Sequence, residues 1–253
     1  MIAITDWGSF DQALPIAVKF GTGLEIQEFS NPTNLEAADE LLRKVREQAD
    51  KLPFRGMHAP FSELVPASRD PMVRQVAKLR FEQAYQIARK MDAQHLIIHS
   101  GFFPKTYPKA VWIQNTFDFW IDFLADKPYP GLVHIENVYE DEPEALLELV
   151  ERVNEVFQDN LLTICLDIGH VNSNSTHSFD EWIGRLGDRI RYVHLHDNNG
   201  VLDNHWGLGK GKIDIAWVLE LLQAHSPDAT WTVETSVEDL EPSLLWLQEK
   251  GYI

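Results

Sequence analysis

Leu161–His170, LLTICLDIGH, is the stretch whose reading decides the fold. A short continuous apolar run is what a strand covered on both faces requires, as in a parallel sheet. This run stops on a carboxylate, Asp167, with an imidazole, His170, three residues on. Outward from it the same pattern repeats. Toward the N-terminus the strand readings are Leu132–Val138, His95–Ser100, Phe54–Phe61, Leu24–Phe29 and Ile2–Thr5; toward the C-terminus they are Tyr192–His196 and Thr230–Thr235.

Segments of helical spacing lie between them, at Ser9–Phe20, Asn34–Asp50, Pro108–Leu124, Pro143–Phe157, Phe179–Leu186, Ile215–Ala224 and Leu240–Lys250. One more long helix is expected after Asp70, which can cap it with Pro71 in its first turn. Eight strand–helix units in 253 residues are the arithmetic of a single (β/α)8 TIM barrel, an α/β fold. A doubly wound sheet is the runner-up and usually needs fewer strands. No linker or low-complexity tract divides the chain, so residues 1–253 read as one domain.

The formal charge of −17 is the outlying number in an otherwise ordinary globular composition. It opposes nucleic acid and anionic membrane, because nucleic-acid affinity rests on Lys and Arg neutralising phosphates. No apolar stretch approaches the ~20 residues that span a bilayer. The N-terminus lacks a signal-peptide pattern, and the single cysteine, Cys165, suits a reducing cytoplasm, where the chain is expected. Homo-oligomerisation is left open.

In a TIM barrel the site lies at the C-terminal ends of the strands. There the sequence sets His58 (MHAPF), His99 (IIHSG), Glu136 (HIENV), Asp167 and His170 (LDIGH), His194 (YVHLH) and Glu234 (VETS), on six consecutive strands. A lone histidine at a strand end is usually a hydrogen-bonded structural residue. Glu136 and Glu234 are harder to explain so, because an unpaired carboxylate inside a buried apolar run costs several kcal/mol. Imidazole and carboxylate together are the ligand set of Zn²⁺ or Mn²⁺. The stretch Tyr192–Gly211, YVHLHDNNGVLDNHWGLGKG, adds His196, Asp197, Asp203 and His205, and His194 and His196 compete for one ligand role. His134 is expected to support Glu136 from one layer deeper, whereas His95, His177 and His225 read as structural or solvated. Trp7 and Trp206 sit on mouth loops where a sugar could stack. The glycines from Gly207 to Gly211, with Lys210 and Lys212, could present N–H groups and charge to a phosphate.

With these residues in place the chain resembles the xylose isomerase-like TIM-barrel superfamily, which includes endonuclease IV and sugar isomerases and epimerases. The motifs HAPFSEL, IIHSG, HIENV, CLDIGH, HLHDN…DNHWGLGKGKID and VETS carry the resemblance over nearly the whole chain. It implies that Glu136, Asp167, His194 and Glu234 hold one divalent metal, as in the epimerase branch, with His170 and Glu142 binding substrate and Glu140 a competitor of Glu142. Counterparts of all nine zinc ligands of endonuclease IV are also present: His58, His99, Glu136, Asp167, His170, His194, Asp203, His205 and Glu234. Phe61 stands where the endonuclease has a tyrosine.

Two mechanisms follow from one pocket. In the first, favoured by charge and compact loops, one metal binds a sugar or sugar phosphate while Glu136 and Glu234 remove and return a carbon-bound proton. In the second, two or three metals hydrolyse a phosphodiester, including abasic DNA. A non-catalytic metal-binding barrel is a third expectation.

Overall fold

A computed structural model describes residues 1–127 and 132–253. Eight parallel strands close on themselves in sequence order: β1 (Ile2–Thr5), β2 (Gly23–Ile26), β3 (Arg55–His58), β4 (His95–His99), β5 (Val133–Glu136), β6 (Leu162–Asp167), β7 (Ile190–Leu195) and β8 (Thr230–Val233). The last pairs with the first, Ile4 opposite Val233, so the sheet has no free edge. Helices α1 (Phe10–Phe20), α2 (Pro32–Glu36), α3 (Ala38–Glu47), α4 (Pro71–Lys90), α5 (Lys109–Leu124) and α6 (Glu144–Phe157) cover the first part of the barrel. Helices α7 (Ile168–Asn174), α8 (Phe179–Leu186), α9 (Ile215–His225) and α10 (Val237–Glu249) cover the rest. This is the expected TIM barrel. No helix among the described residues is long and apolar enough to cross a membrane.

Local chemistry sets where the elements depart from the sequence pattern. The helix expected over Asn34–Asp50 begins at Pro32, capped by Asn31, whose side chain accepts from the Thr33 N–H at 2.9 Å. It breaks at Ala37, whose backbone leaves helical values (φ −104°, ψ 35°). The third strand stops at His58 rather than Phe61, because Pro60 has no N–H to continue the ladder beyond the Ala59-to-Ile97 bond. The second strand ends where Gln27 N–H donates to Asp6 Oδ1 (2.8 Å) instead of to a strand. The short helix α7, absent from the sequence reading, starts directly at the β6 terminus because Asp167 Oδ1 accepts the His170 N–H (2.7 Å). That cap turns His170 back over the barrel mouth.

The lower interior is polar and aromatic rather than filled with branched aliphatics. His95 and His134 are hydrogen-bonded (2.9 Å), His134 continues to Thr163 Oγ1 (2.6 Å), and the Tyr192 ring packs on both. His134 is thus tied to the barrel floor and not to Glu136, contrary to expectation. Burial pushes His95 down to about 4 and His134 well below its ordinary value, so both are neutral near pH 7.

Candidate metal centre

The strand ends and the segments that follow them bring all nine expected ligands to the barrel mouth, in three neighbouring groups. His58, His99 and Glu136 form one; His170, Asp203 and His205 form another, with ligand atoms inside each group within 4.8 Å of one another. Between them, His194 Nδ1 lies 3.3 Å from both Glu136 Oε1 and Glu234 Oε2 and 3.8 Å from Asp167 Oδ2. Glu136 belongs to both the first and the central group: its Oε2 is 3.1 Å from His58 Nε2 and 3.4 Å from His99 Nε2.

Four of the imidazoles are held by one nitrogen so that the other faces the cluster. His58 Nδ1–H donates to Ala59 O (2.7 Å), His170 Nδ1–H to Asn137 O (2.8 Å) and His205 Nδ1–H to Glu234 O (3.2 Å). His194 Nε2–H donates to Glu25 Oε2 (3.0 Å). Such anchoring fixes tautomer and ring orientation and raises the basicity of the free nitrogen. The result is a set of imidazole nitrogens aimed at shared points among the carboxylates.

Sequence reasoning missed the anchors. Glu25 is fully buried in β2, and Gln27 Nε2 donates both to Glu25 Oε1 (3.1 Å) and to Glu234 Oε1 (2.6 Å), joining the His194 anchor to Glu234. The signal was present in GLEIQ, which sets a carboxylate inside an apolar strand just as HIENV does for Glu136. Asp6 completes the ring at β1. It accepts from the N–H groups of Gly8 and Gln27, and burial pushes it up to about 7.

Between the two competing histidines, His194 turns Nδ1 into the central group. His196 instead holds Asp167, with Nε2 at 3.0 and 3.1 Å from its two oxygens, and stacks on the His205 ring at 3.9 Å. It also lies within ligand reach of His205 and Glu234. Space for the His196 ring depends on Gly169, where a Cβ would fall 1.9 Å from the ring. Gly169→Ala is therefore expected to cost about 2 kcal/mol or more, as overpacked cores do. Thermal unfolding should register this as a fall of roughly 4–8 °C; an unchanged midpoint would contradict the packing.

Three expected substrate contacts stand apart from the cluster. Glu142 is ion-paired with Lys109 at the surface, whereas its competitor Glu140 is buried and accepts from the Val138 N–H (2.7 Å). Lys210 is ion-paired with Asp239. Two of the N–H groups a phosphate cradle would need are already taken: Gly207 donates to Asp239 Oδ2 (3.0 Å) and Gly211 to Asp197 Oδ2 (2.8 Å). Asp197 also accepts from Ile213 N–H (3.0 Å), clamping this loop onto the end of β7, and Gly211 sits too close to Asn198 O (2.3 Å from a Cβ) for any side chain. Trp7 does reach the mouth, its ring 4.9 Å from that of His205 and 40% exposed.

A divalent cation fits these residues. His194 Nδ1 and Glu234 Oε2 are buried without hydrogen-bond partners, and both point at the place where the Glu136 and Asp167 oxygens converge. Orphaned buried polar atoms are rare and costly. A nitrogen and three carboxylate oxygens form a suitable donor set for Zn²⁺ or Mn²⁺. Electrostatics agrees: burial raises the Glu136 carboxyl, but the imidazoles of His99, His194 and His58 outweigh it and hold it well below the usual range. His99, mainly through burial, is pushed down to about 3 and is a ready neutral donor.

His205 differs. Burial lowers its pKa, yet Glu234 and Asp203 outweigh burial and raise it to about 9. Protonated His205 therefore stabilises the metal-free fold fully below ~6.5, the ordinary histidine value, and this contribution fades as pH rises through about 9. A cation must displace that proton. Binding at this group should tighten with pH between about 6.5 and 9, with at least one proton released at pH 7.5. Calorimetry in buffers of different ionisation enthalpy measures this, and pH-independent binding without proton release would refute it.

A closed parallel barrel with imidazoles and carboxylates gathered at the C-terminal ends of its strands defines a TIM barrel with a ligand-rich mouth. The chain belongs to the xylose isomerase-like TIM barrel family, which it matches over residues 16–251. It is 31% identical over 188 residues to the uncharacterized protein MJ1311 of Methanocaldococcus jannaschii, a match covering 70% of this chain and 63% of that protein. The chain thus spans less than two thirds of the length of the curated relatives it matches. Among solved structures, the TTHB071 protein from Thermus thermophilus, soaked with ZnCl2, superposes with a TM-score of 0.78 at 26% identity, covering 99% of this chain and 97% of that one. The D-psicose 3-epimerase with D-tagatose from Clostridium cellulolyticum H10 superposes with a TM-score of 0.78, covering 100% and 98%; its 14% identity speaks for the fold alone.

Proposed function

We propose that residues 1–253 form one barrel domain that isomerises or epimerises a sugar or sugar phosphate with the help of a divalent metal. The observation that carries this reading is the pair of buried carboxylates, Glu136 and Glu234, flanking His194 Nδ1 at 3.3 Å each. The zinc-soaked relative and the sugar epimerases of the same fold support it.

Glu136, Asp167, His194 and Glu234 would hold the cation, which supplies charge to acidify a C–H bond beside the substrate's oxygens. Glu136 and Glu234, reaching the substrate from two sides, then exchange its proton. One takes the proton from carbon, the electron pair moves into the adjacent carbon–oxygen framework, and the other returns a proton to carbon. Gln27 donates to Glu234 Oε1 and so fixes the orientation of that carboxylate, with Oε2 turned into the cluster. His170, fixed by Asn137 and Asp167, orients hydroxyl groups, and Trp7 covers the mouth.

A second reading, phosphodiester hydrolysis by two or three metals, draws on the outer groups His58–His99–Glu136 and His170–Asp203–His205. Against it stand the charge of −17 and mouth clefts lined by neither lysine nor arginine, where a duplex would need cations.

The deciding experiment incubates metal-loaded protein with free and phosphorylated ketoses in D2O and, in parallel, with abasic duplex DNA. The expected result is deuterium at a carbon next to the carbonyl, read by NMR, with the DNA intact. Strand cleavage without exchange overturns the reading in favour of the second. In His205→Ala, exchange should persist with one metal bound.

A further inference from the structure

The mouth is a cleft of two lobes that meet at Phe61, His99, His170 and Asp203. The first lobe, about 320 Å³, holds most of the ligand cluster together with Gln27 and Trp7. The second is larger, about 560 Å³. Its apolar lining is Leu64, Phe102, Phe103, Tyr139, Val201 and Leu202, set among polar residues that include Glu63, Ser173 and Asn174.

Leu64 and Phe102 are anchored in the core, Phe102 against Trp112 of α5, but neither helix packing nor the barrel core accounts for the other four. Phe103 is 39% exposed, Tyr139 46%, Leu202 60% and Val201 71%, and they come from three different loops, after β4, β5 and β7. Phe103 and Tyr139 face each other across one wall with ring centroids 6.2 Å apart. Scattered exposed apolar residues need no explanation, but a contiguous group opening onto a reactive centre marks a binding surface. No lysine or arginine lines either lobe; Lys210 and Lys109 are engaged by Asp239 and Glu142, and Lys105, two residues beyond Phe103, lies outside both linings.

We infer that the natural substrate has two parts: a hydroxylated head that reaches the metal ligands, and an uncharged apolar or aromatic arm that lies in the second lobe. This rests on the reading of the site as a centre that chelates neighbouring substrate oxygens, and it narrows that reading to a substrate without phosphate on the arm. The occupant is fixed by continuity, since His99, His170 and Asp203 form part of both lobes and one molecule can fill both. The polar head alone would leave the apolar wall wet. A phosphorylated arm would meet the carboxylate of Glu63 and no lysine or arginine.

Hydroxamates test this without knowledge of the sugar, because their two adjacent oxygens chelate a metal as neighbouring substrate oxygens would. Affinity for the zinc-loaded protein is measured by calorimetry for acetohydroxamate, 4-phenylbutyrohydroxamate and phosphonoacetohydroxamate. Burial of an aryl arm predicts that the phenyl compound binds about thirtyfold tighter than acetohydroxamate and the phosphonate no tighter. In Phe103→Ser and Tyr139→Ser, checked for folding by circular dichroism, the phenyl-to-acetyl ratio should fall toward one. Equal affinities, or a preference for the phosphonate, overturn the two-part substrate while leaving the chelating centre standing. Failure of all three to bind zinc-loaded protein overturns the centre itself, and the arm with it.

Discussion

Glu136→Gln is expected to lower turnover by about 10³-fold or more and to weaken metal binding at two of the three groups at once. Glu136 Oε1 faces His194, Oε2 faces His58 and His99, and the carboxylate is 1% exposed. Glutamine preserves the shape but removes the charge that holds these imidazoles. In the metal-free protein burial pulls His58 down, and Glu136 together with Glu25 more than reverses it. Without Glu136, His58 should titrate below its wild-type value. Glu234→Gln is expected to lose turnover to a similar degree but to keep the first group intact, since His58 and His99 do not contact it. Elemental analysis of both variants beside a deuterium-exchange assay distinguishes these outcomes. Full metal content and unimpaired exchange in Glu136→Gln would remove it from the centre.

Metal removal should have the largest effect on stability. Four carboxylates, Glu25, Glu136, Asp167 and Glu234, are gathered around His194 with little or no exposure. Imidazolium formation compensates them only in part. A cation at ~1,000 times its dissociation constant adds about 4 kcal/mol to the folded state. For a chain of this size that is roughly 8–16 °C in the unfolding midpoint. Protein stripped with a chelator should therefore melt well below protein resupplied with Zn²⁺ or Mn²⁺, and the difference should shrink at low pH as ligand protons compete. A midpoint unmoved by saturating metal would leave the orphaned His194 Nδ1 and Glu234 Oε2 unexplained.

Much of this centre was legible because strand termini obey a simple rule. A run such as LLTICLD cannot carry a carboxylate into a barrel without a partner, and the same holds for HIENV and VETS. The barrel followed from repetition of that pattern. Less legible was whatever depended on loop conformation. Glu142 and Glu140 lie two residues apart, and only the path of the chain after β5 decides which is buried. Lys210 looked available until Asp239, distant in sequence on α10, was brought beside it. The roles of His194 and His196 were also undecided, since alternation gives both the same face; the bonds to Glu25 and Asp167 separate them. Glu25 itself was overlooked because its strand carries no histidine and ends on a glutamine.

The ligands differ in how they are mounted. Those on β3 to β8 are fixed by the sheet, whereas Asp203 and His205 ride on the connection that Asp197 pins to the end of β7. Remodelling that one connection would change the His170–Asp203–His205 group while leaving the ligands at the strand ends in place. A barrel built this way would let the number of cations it can hold be altered by a local change in a surface segment, with the closed sheet and its terminal ligands untouched.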